Sequence, residues 1–371
     1  MRFVIFTHSL LSDWNHGNAH FLRGIATELV ERGHSVHIFE SRNGWSLTNL
    51  LRDCGDAPIA EFHRIYPRIH STFYDEAGFD PGSVLADANV AIVHEWNSHD
   101  LVRRAGEYRA RHPELRLYFH DTHHRSVTDR DAMARYDLLH YDGVLAYGSV
   151  IAEVYRRNGW ARHAWTWHEA ADTRVFYPST AAEPAGDLVW VGNWGDDERS
   201  REIGEFLIEP VRTLRLKAKV YGVRYPQEAL QALAAAGIEY GGWLPNYRVP
   251  EIFARYRVTV HIPRRPYVAA LRGIPTIRPF EALACGIPMV SAPWQDCEQL
   301  FRPGEDFLFA RDGREMASTL RMLLDDRELA SEIARDGLAT IRSRHTCAHR
   351  IDELLAIVRK PVESAVAEGA D

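Results

Sequence analysis

Cysteine is scarce in this chain: there are four in 371 residues, Cys54, Cys285, Cys297 and Cys347. None stands in C-x-x-C spacing, so the sequence points to neither a zinc knuckle nor a disulfide framework, and reduced thiols are the expectation. Basic charge is not in excess either. Lysine and arginine number 44 against 51 acidic residues, a formal charge of -7, which argues against a nucleic-acid protein held by its overall field, though a small polyanion could still bind locally. No stretch approaches the ~20 apolar residues of a membrane span, and the run from Met1 to Phe6 is too short and lacks the cleavage site of a secretory leader. A cytoplasmic location is therefore expected. There is no short-period repeat or low-complexity tract.

What is present is the make-up of an ordinary folded protein. Hydrophobic residues make up 46% and charged residues 26%, and at roughly 100–200 residues per domain the length predicts two domains. Residues 2–7 read as a buried strand. A polar loop containing Gly17 leads into a helix over about 18–32, in which Phe21, Leu22, Ile25, Ala26, Leu29 and Val30 form a stripe of period 3.6 and Gly33 follows as a cap. With a strand over 35–39, this opens a doubly wound parallel sheet, because parallel neighbours need such a crossover. Strands over 90–94, 116–120 and 143–147 continue one α/β domain. The alternation lapses at 168–178, and a polar stretch through Gly186 reads as a linker. A second series follows, with strands over 188–191, 219–221, 258–262 and 289–291 and helices near 201–215, 226–236, 249–256, 279–285 and 313–324. The spacing predicts a Rossmann-like domain over 1–175, a second over 183–345, and a closing helix over 346–360 with Ile351, Leu354, Leu355 and Val358 on one stripe. Residues 43–79 follow no readable pattern, and 364–371 read as frayed. Two such domains would face a cleft, and ligands of open parallel sheets sit beyond the carboxyl ends of the strands.

Residues just after strands are therefore the candidates. The most informative segment runs from Ile277 to Ser291. Pro279 suits a first helical turn, Gly286 and Pro288 end a short helix, and Arg278 and Glu281, three apart, share a face. A helix N-terminus offers free N–H groups and partial positive charge, which suits a diphosphate, and a carboxylate beside it can accept two vicinal ribose hydroxyls. Glu281 could equally satisfy first-turn N–H groups. A second cluster, His120-Asp-Thr-His-His-Arg125, follows a first-domain strand. His120 and Asp121 suit a sugar contact or a general base; the cluster would also suit a metal or a purely structural role. Among basic residues after second-domain strands, Arg199 is the first choice for a diphosphate and Arg224 the reserve, ahead of Arg201, Arg264 and Arg265. Arg103, Arg104, Arg109, Arg111 and Arg116 lie on a helix-like stretch that reads as a solvated face, or as one that would touch anionic lipid at the membrane periphery.

The stretch Phe280-Glu-Ala-Leu-Ala-Cys-Gly-Ile-Pro-Met-Val290 resembles the sugar-nucleotide signature of GT-B glycosyltransferases, in the large glycogen-synthase-like retaining group (family 4 type). Other segments agree in order and spacing. Asn15-His-Gly-Asn18 and Glu31-Arg-Gly-His-Ser-Val36 resemble the glycine-rich loop and R-G-H-x-V of that group's first domain, and residues 168–178 its interdomain linker. Val189-Trp-Val-Gly-Asn-Trp194 is similar to the strand and glycine opening its second domain, and Tyr240-Gly-Gly-Trp-Leu-Pro245 to the loop beside the nucleobase. The likeness spans about residues 1–355. It is nearest to the spore-maturation-type subgroup, which shares a G-N-W turn and an R-x-F-E step.

The resemblance implies a GT-B fold, two Rossmann-like doubly wound parallel-sheet domains facing a cleft, with the closing helix packed back across the first. It implies a glycosyltransferase moving a sugar from a nucleotide-diphosphate donor to an acceptor hydroxyl or similar group. The donor-binding residues would be Gly17, Asn18, Gly192, Asn193, Arg199, Arg224, Tyr240, Trp243, Arg278 and Glu281; Tyr240 and Trp243 would stack on the nucleobase, unless they only pack in their loop. His120 matches the histidine that approaches the donor sugar, with Asp121 beside it as its catalytic companion. No metal and no cofactor is implied, the nucleotide sugar being a co-substrate, and the partners are that nucleotide sugar and an acceptor, with no nucleic acid. The chain departs from the group at one place: its first glutamate, eight positions before the ribose-binding one, is here Gly273 beside Arg272. The subgroup tolerates that loss. Two rivals stay open, a sugar-nucleotide epimerase of the same fold and a two-domain small-molecule binding protein.

Overall fold

The computed structural model describes residues 1–179 and 183–360. Strand β1 (Arg2–Thr7) is buried from Phe3 to Thr7 because helices cover both faces of its sheet, which is why it reads as a continuous apolar run. Its neighbours are β2 (Ser35–Ser41), β3 (Ser71–Tyr74), β4 (Val90–His94), β5 (Arg116–Asp121), β6 (Gly143–Ala146) and β7 (Ala164–Thr166). All pair in parallel, in the order β3-β2-β1-β4-β5-β6-β7. The helix Ala19–Glu31 crosses from β1 to β2 and buries Phe21, Leu22, Ile25, Ala26 and Leu29, each apolar side chain of this size contributing about 1.5–3 kcal/mol. Gly33, at φ 79°, supplies the left-handed residue that ends it.

The second sheet contains β8 (Gly186–Val191), β9 (Ala218–Tyr221), β10 (Ile238–Tyr240), β11 (Tyr256–His261), β12 (Met289–Ser291) and β13 (Leu308–Phe309). Its order is β10-β9-β8-β11-β12-β13, again all parallel. Each sheet reverses its winding beside its first strand, between β1 and β4 and between β8 and β11. At such a switch point the loops leaving the carboxyl ends diverge and open a crevice.

The closing helix, Cys347–Val358, begins with a capping box between Thr346 and His349 and lies on Ala19–Glu31. The fit is close. A Cβ on Gly24 would stand 2.4 Å from Cys347 Sγ, and Trp167 Nε1 donates to the Arg350 carbonyl at 2.7 Å. The closing helix thus packs against the first domain.

Several expectations differ from what the chain adopts. Residues 43–79 contain two helices, Trp45–Cys54 and Ala57–Ile65, and the edge strand β3. The helix expected over 201–215 is three pieces, Ser200–Ile203, a wide π turn over Gly204–Ile208, and Glu209–Leu214; Pro210 brings no N–H to the i−4 ladder. Helix Arg327–Arg344 was not expected. The arginine-rich stretch is helical only over His99–Arg111, and Arg116 begins β5. Arg103 is paired with Asp100 at 2.5 Å and with Glu107, and Arg109 with Asp142 at 3.0 Å, so much of that face's charge is balanced by its own neighbours. Among the described residues no helix is long and apolar enough to cross a membrane. The expected fray at 364–371 lies outside the described residues.

Candidate active site

The crevice between the two sheets is walled on the first-domain side by the loop that follows β1. Gly17 stands there against the second domain: a Cβ on it would approach Ile277 Cγ2 to 3.1 Å, so glycine lets the two domains meet. Asn18 precedes the helix Ala19–Glu31 but makes no cap bond with its side chain. Both its amide atoms are buried without a partner while the residue lines the crevice, so they are free for a ligand.

Opposite stands the turn after β8. Asn193 ties it to the first domain, its amide donating to Asn15 Oδ1 at 2.8 Å and accepting from the Val223 N–H at 2.9 Å. Gly192 lies against the Trp190 ring, where a Cβ would come within 2.7 Å. Arg199 reaches back beneath this turn. It donates to the Ile262 carbonyl at 3.1 Å and to the Asn193 carbonyl, and its guanidinium sits 5.1 Å from the Trp190 ring centre. Burial pulls its ionisation down to about 9, with the Arg264 charge acting the same way, so it stays cationic at neutral pH. Arg264 is balanced by Glu198 at 3.0 Å, and Glu198 also meets His124 of the first domain at 3.3 Å. The His124 hydrogen bond leads the causes that hold the Glu198 carboxyl down at about 2.

The helix Ile277–Ala284 begins at the crevice, so Pro279 is its third residue rather than its first. Thr276, just before it, is held at φ 61°, a conformation a β-branched residue rarely adopts, and strain of this kind clusters at functional sites. Arg278 lines the crevice and donates to Glu281 Oε2. Glu281 is fully buried. Its Oε1 accepts from His20 Nδ1 at 3.0 Å; the Asp172 N–H donates to the other ring nitrogen of His20 at 2.8 Å, which fixes the tautomer. Both carboxylate oxygens are therefore occupied. Arg278 rather than Glu281 lines the crevice, with Glu281 next to it carrying one bond on each oxygen. Gly273 sits at φ 95°, a region that favours glycine, with Glu298 beside it.

The structure places other expected residues away from the crevice. β5 runs on through Asp121 rather than ending at 120, so the chain first opens to the crevice at Thr122 and His123. His120 is fully buried against Trp167 and His94, with ring centres 5.0 and 5.2 Å away, and burial pulls its imidazole down to about 3. Asp121 accepts from the Tyr155 hydroxyl at 2.9 Å and the His123 N–H at 3.1 Å, and burial pushes its carboxyl up to about 6. Arg224 points outward, paired with Asp196 at 2.7 Å. Tyr240 is 37% exposed and donates to the Gly222 carbonyl, outside the crevice. Trp243 lines a smaller space beyond Asn193 and donates to Asp13 Oδ1 at 3.0 Å. Among the described residues no group of three or more His, Cys, Asp or Glu is arranged to hold a metal ion, so the metal reading of 120–124 finds no site.

Sequence reasoning missed Trp96 and Glu169, which line the crevice, and gave no role to His123 of the 120–125 cluster, which lines it too. The true end of β5 at Asp121 would have singled out His123, whereas β4 ends at His94 as expected, so strand ends alone do not mark Trp96. Nothing in the sequence marks Glu169, which comes from the linker. Given this geometry, His120→Ala is expected to cost about 1–3 kcal/mol of stability through a buried vacancy and to leave nucleotide affinity unchanged. Melting and calorimetry check it; a turnover loss of roughly 10²-fold with an unchanged melting temperature would return His120 to the chemistry.

Comparison with known proteins agrees with this architecture. Residues 199–356, less than half of the chain, match the family model described as "Glycosyl transferase-like". No curated protein matches the chain. Among solved structures, Anabaena HepE in complex with UDP and glucose is similar over 96% of this chain and 99% of its own, with TM-score 0.68 and 14% identity. An alpha-glucosyltransferase in complex with UDP and a 13-mer DNA matches over 97% and 100%, with TM-score 0.71 and 11% identity. Sucrose-phosphate synthase from Thermosynechococcus elongatus matches over 96% and 98%, with TM-score 0.63 and 13% identity. These likenesses show the GT-B fold over nearly the whole chain and a glycosyl transferase-like segment over residues 199–356.

Proposed function

We propose that this chain moves a sugar from a nucleotide-diphosphate donor to an acceptor hydroxyl or similar group, the second domain holding the nucleotide and the first domain the acceptor. The observation that carries the reading is the start of helix Ile277–Ala284, where free N–H groups and Arg278 face the crevice across from the unsatisfied Asn18 amide. In the reaction the bond from the anomeric carbon to the diphosphate oxygen breaks, one to the acceptor oxygen forms, and the acceptor's proton leaves. Arg199, Arg278 and the helix N-terminus would stabilise charge on the departing diphosphate, and the close approach of the domains at Gly17 would exclude water. The G-N-W turn at 192–194 and the Arg278-Pro-Phe-Glu281 step support a place nearest the spore-maturation-type subgroup.

HepE and the alpha-glucosyltransferase were solved with UDP, so uridine diphosphate is the first nucleotide to try. At 100 times its dissociation constant it should add ~2.7 kcal/mol of stability. A melting temperature unmoved by UDP, GDP and ADP alike would sink the reading. We further expect transfer to proceed without a metal, because guanidinium groups already supply positive charge at the crevice. Turnover should then survive a chelator, and its loss to EDTA with recovery on adding Mg2+ would overturn that point.

A further inference from the structure

Glu169 is the one carboxyl that lines the crevice without a partner for its Oε2 among the described residues. It leaves the linker after β7, is 4% exposed, and shares the larger part of the crevice with Arg199 and Arg278 rather than the smaller space by Trp243. A buried polar atom in that position needs a partner from whatever enters. We propose that Glu169, as a neutral acid, donates a hydrogen bond to a diphosphate oxygen of the nucleotide donor; this rests on the glycosyltransferase reading above.

The charges around it decide its state. Glu281 and Arg278 act on it from the helix Ile277–Ala284, Tyr147 faces it from the end of β6, and Tyr267 from the helix Arg265–Ala269. Arg350 of the closing helix donates to its carbonyl at 3.4 Å, and its neighbour His168 is turned to Glu298 at 3.0 Å. Burial and the Glu281 charge push the Glu169 carboxyl up to about 8, against the pull of Arg278. At neutral pH it therefore keeps its proton. Phosphate oxygens only accept, and an O–H donated to a charged oxygen makes a short, strong bond. Once ionised, the same carboxyl would repel the diphosphate. Affinity should then fall as pH rises through about 8, by about tenfold at pH 9 where only about a tenth of the sites remain protonated.

The test is calorimetry on the full chain at pH 7, 8 and 9, with uridine and with UDP, or with whichever of UDP, GDP and ADP stabilises the chain most and its nucleoside. The wild type should lose about tenfold in diphosphate affinity from pH 7 to 9. Glu169→Gln, whose amide N–H donates without titrating, should bind comparably at pH 7 and fall by pH 9 only by the roughly twofold share that Arg199, titrating at about 9, contributes to every variant; Glu169→Ala should be weakened already at pH 7. Nucleoside affinity should be the same in all three. Titration of the nucleotide itself is common to the three proteins, so the difference between wild type and Glu169→Gln isolates the residue. A decline in Glu169→Gln as large as in the wild type, a Glu169→Ala variant that binds like wild type, or a loss equal for nucleoside and diphosphate would each overturn the assignment. Failure of the wild type to bind any of the three diphosphates would instead remove the glycosyltransferase reading, and this assignment with it.

Discussion

Replacing Arg199 with alanine is expected to weaken diphosphate binding by about 10–100-fold while barely changing the affinity for the bare nucleoside. The size follows from hydrogen bonds to charged groups, about 1.5–3 kcal/mol, at 1.4 kcal/mol per factor of ten. The direction follows from the company Arg199 keeps. Its guanidinium donates only to carbonyl oxygens and rests on the Trp190 ring, and its Nε is buried with no partner. Arg264 nearby has Glu198, and Arg278 has Glu281, but Arg199 forms no ion pair among the described residues. A half-buried cation without a counter-charge is costly, as its lowered ionisation at about 9 reflects, and a diphosphate would supply the missing charge. Arg199→Lys keeps the charge but not the planar fork, so it should fall between the two. Calorimetry with UDP and uridine separates the outcomes. Equal losses for both ligands would show that the variant disturbs the Gly192–Asn193 turn rather than an anion site.

Much of the architecture was legible because period and punctuation survive in the sequence. The stripe from Phe21 to Leu29, the cap at Gly33 and the strand–helix–strand rhythm all reappear in the structure. The short edge strands β3, β7, β10 and β13 were not, since two to four residues carry too little alternation to stand out. Depth was the harder quantity. In a parallel sheet covered on both faces, a polar residue near a strand end sits in or out of the crevice according to a register of one or two residues. The one-residue extension of β5 is enough to put His120 and Asp121 in the core and His123 at the opening. Glu281 illustrates the same limit from the other side. Its place at a helix start was readable, but its two bonds come from Arg278 and from His20, 261 positions away in the chain.

Arg23 is expected to be the costliest single side chain to remove, with Arg23→Ala losing about 3–5 kcal/mol of stability, the range for breaking one half of a buried ion pair. Nothing in the sequence announces it, because an arginine inside an amphipathic helix ordinarily faces water. Here it is fully buried. Its nitrogens donate to the Leu10 carbonyl at 2.8 Å, the Leu11 carbonyl at 2.9 Å, Asp13 Oδ2 at 2.9 Å and Asn246 Oδ1 at 2.6 Å, and the Phe62 ring lies 5.0 Å away. Asp13 in turn accepts from Trp243 Nε1 at 3.0 Å and from the Asn246 N–H at 2.9 Å. The guanidinium thus fixes the loop after β1 and, through Asp13 and Asn246, the approach of the second domain to it. Its loss would strand the Asp13 charge and two carbonyls in a dry interior while loosening the wall of the crevice. The Arg23→Ala variant should therefore melt several degrees lower and also bind UDP less tightly, although Arg23 does not line the crevice. Denaturant titration of wild type and variant measures the first effect and calorimetry the second. A stability loss below about 1 kcal/mol, the size of an exposed ion pair, would mean that the network is dispensable and that something else sets the domain approach.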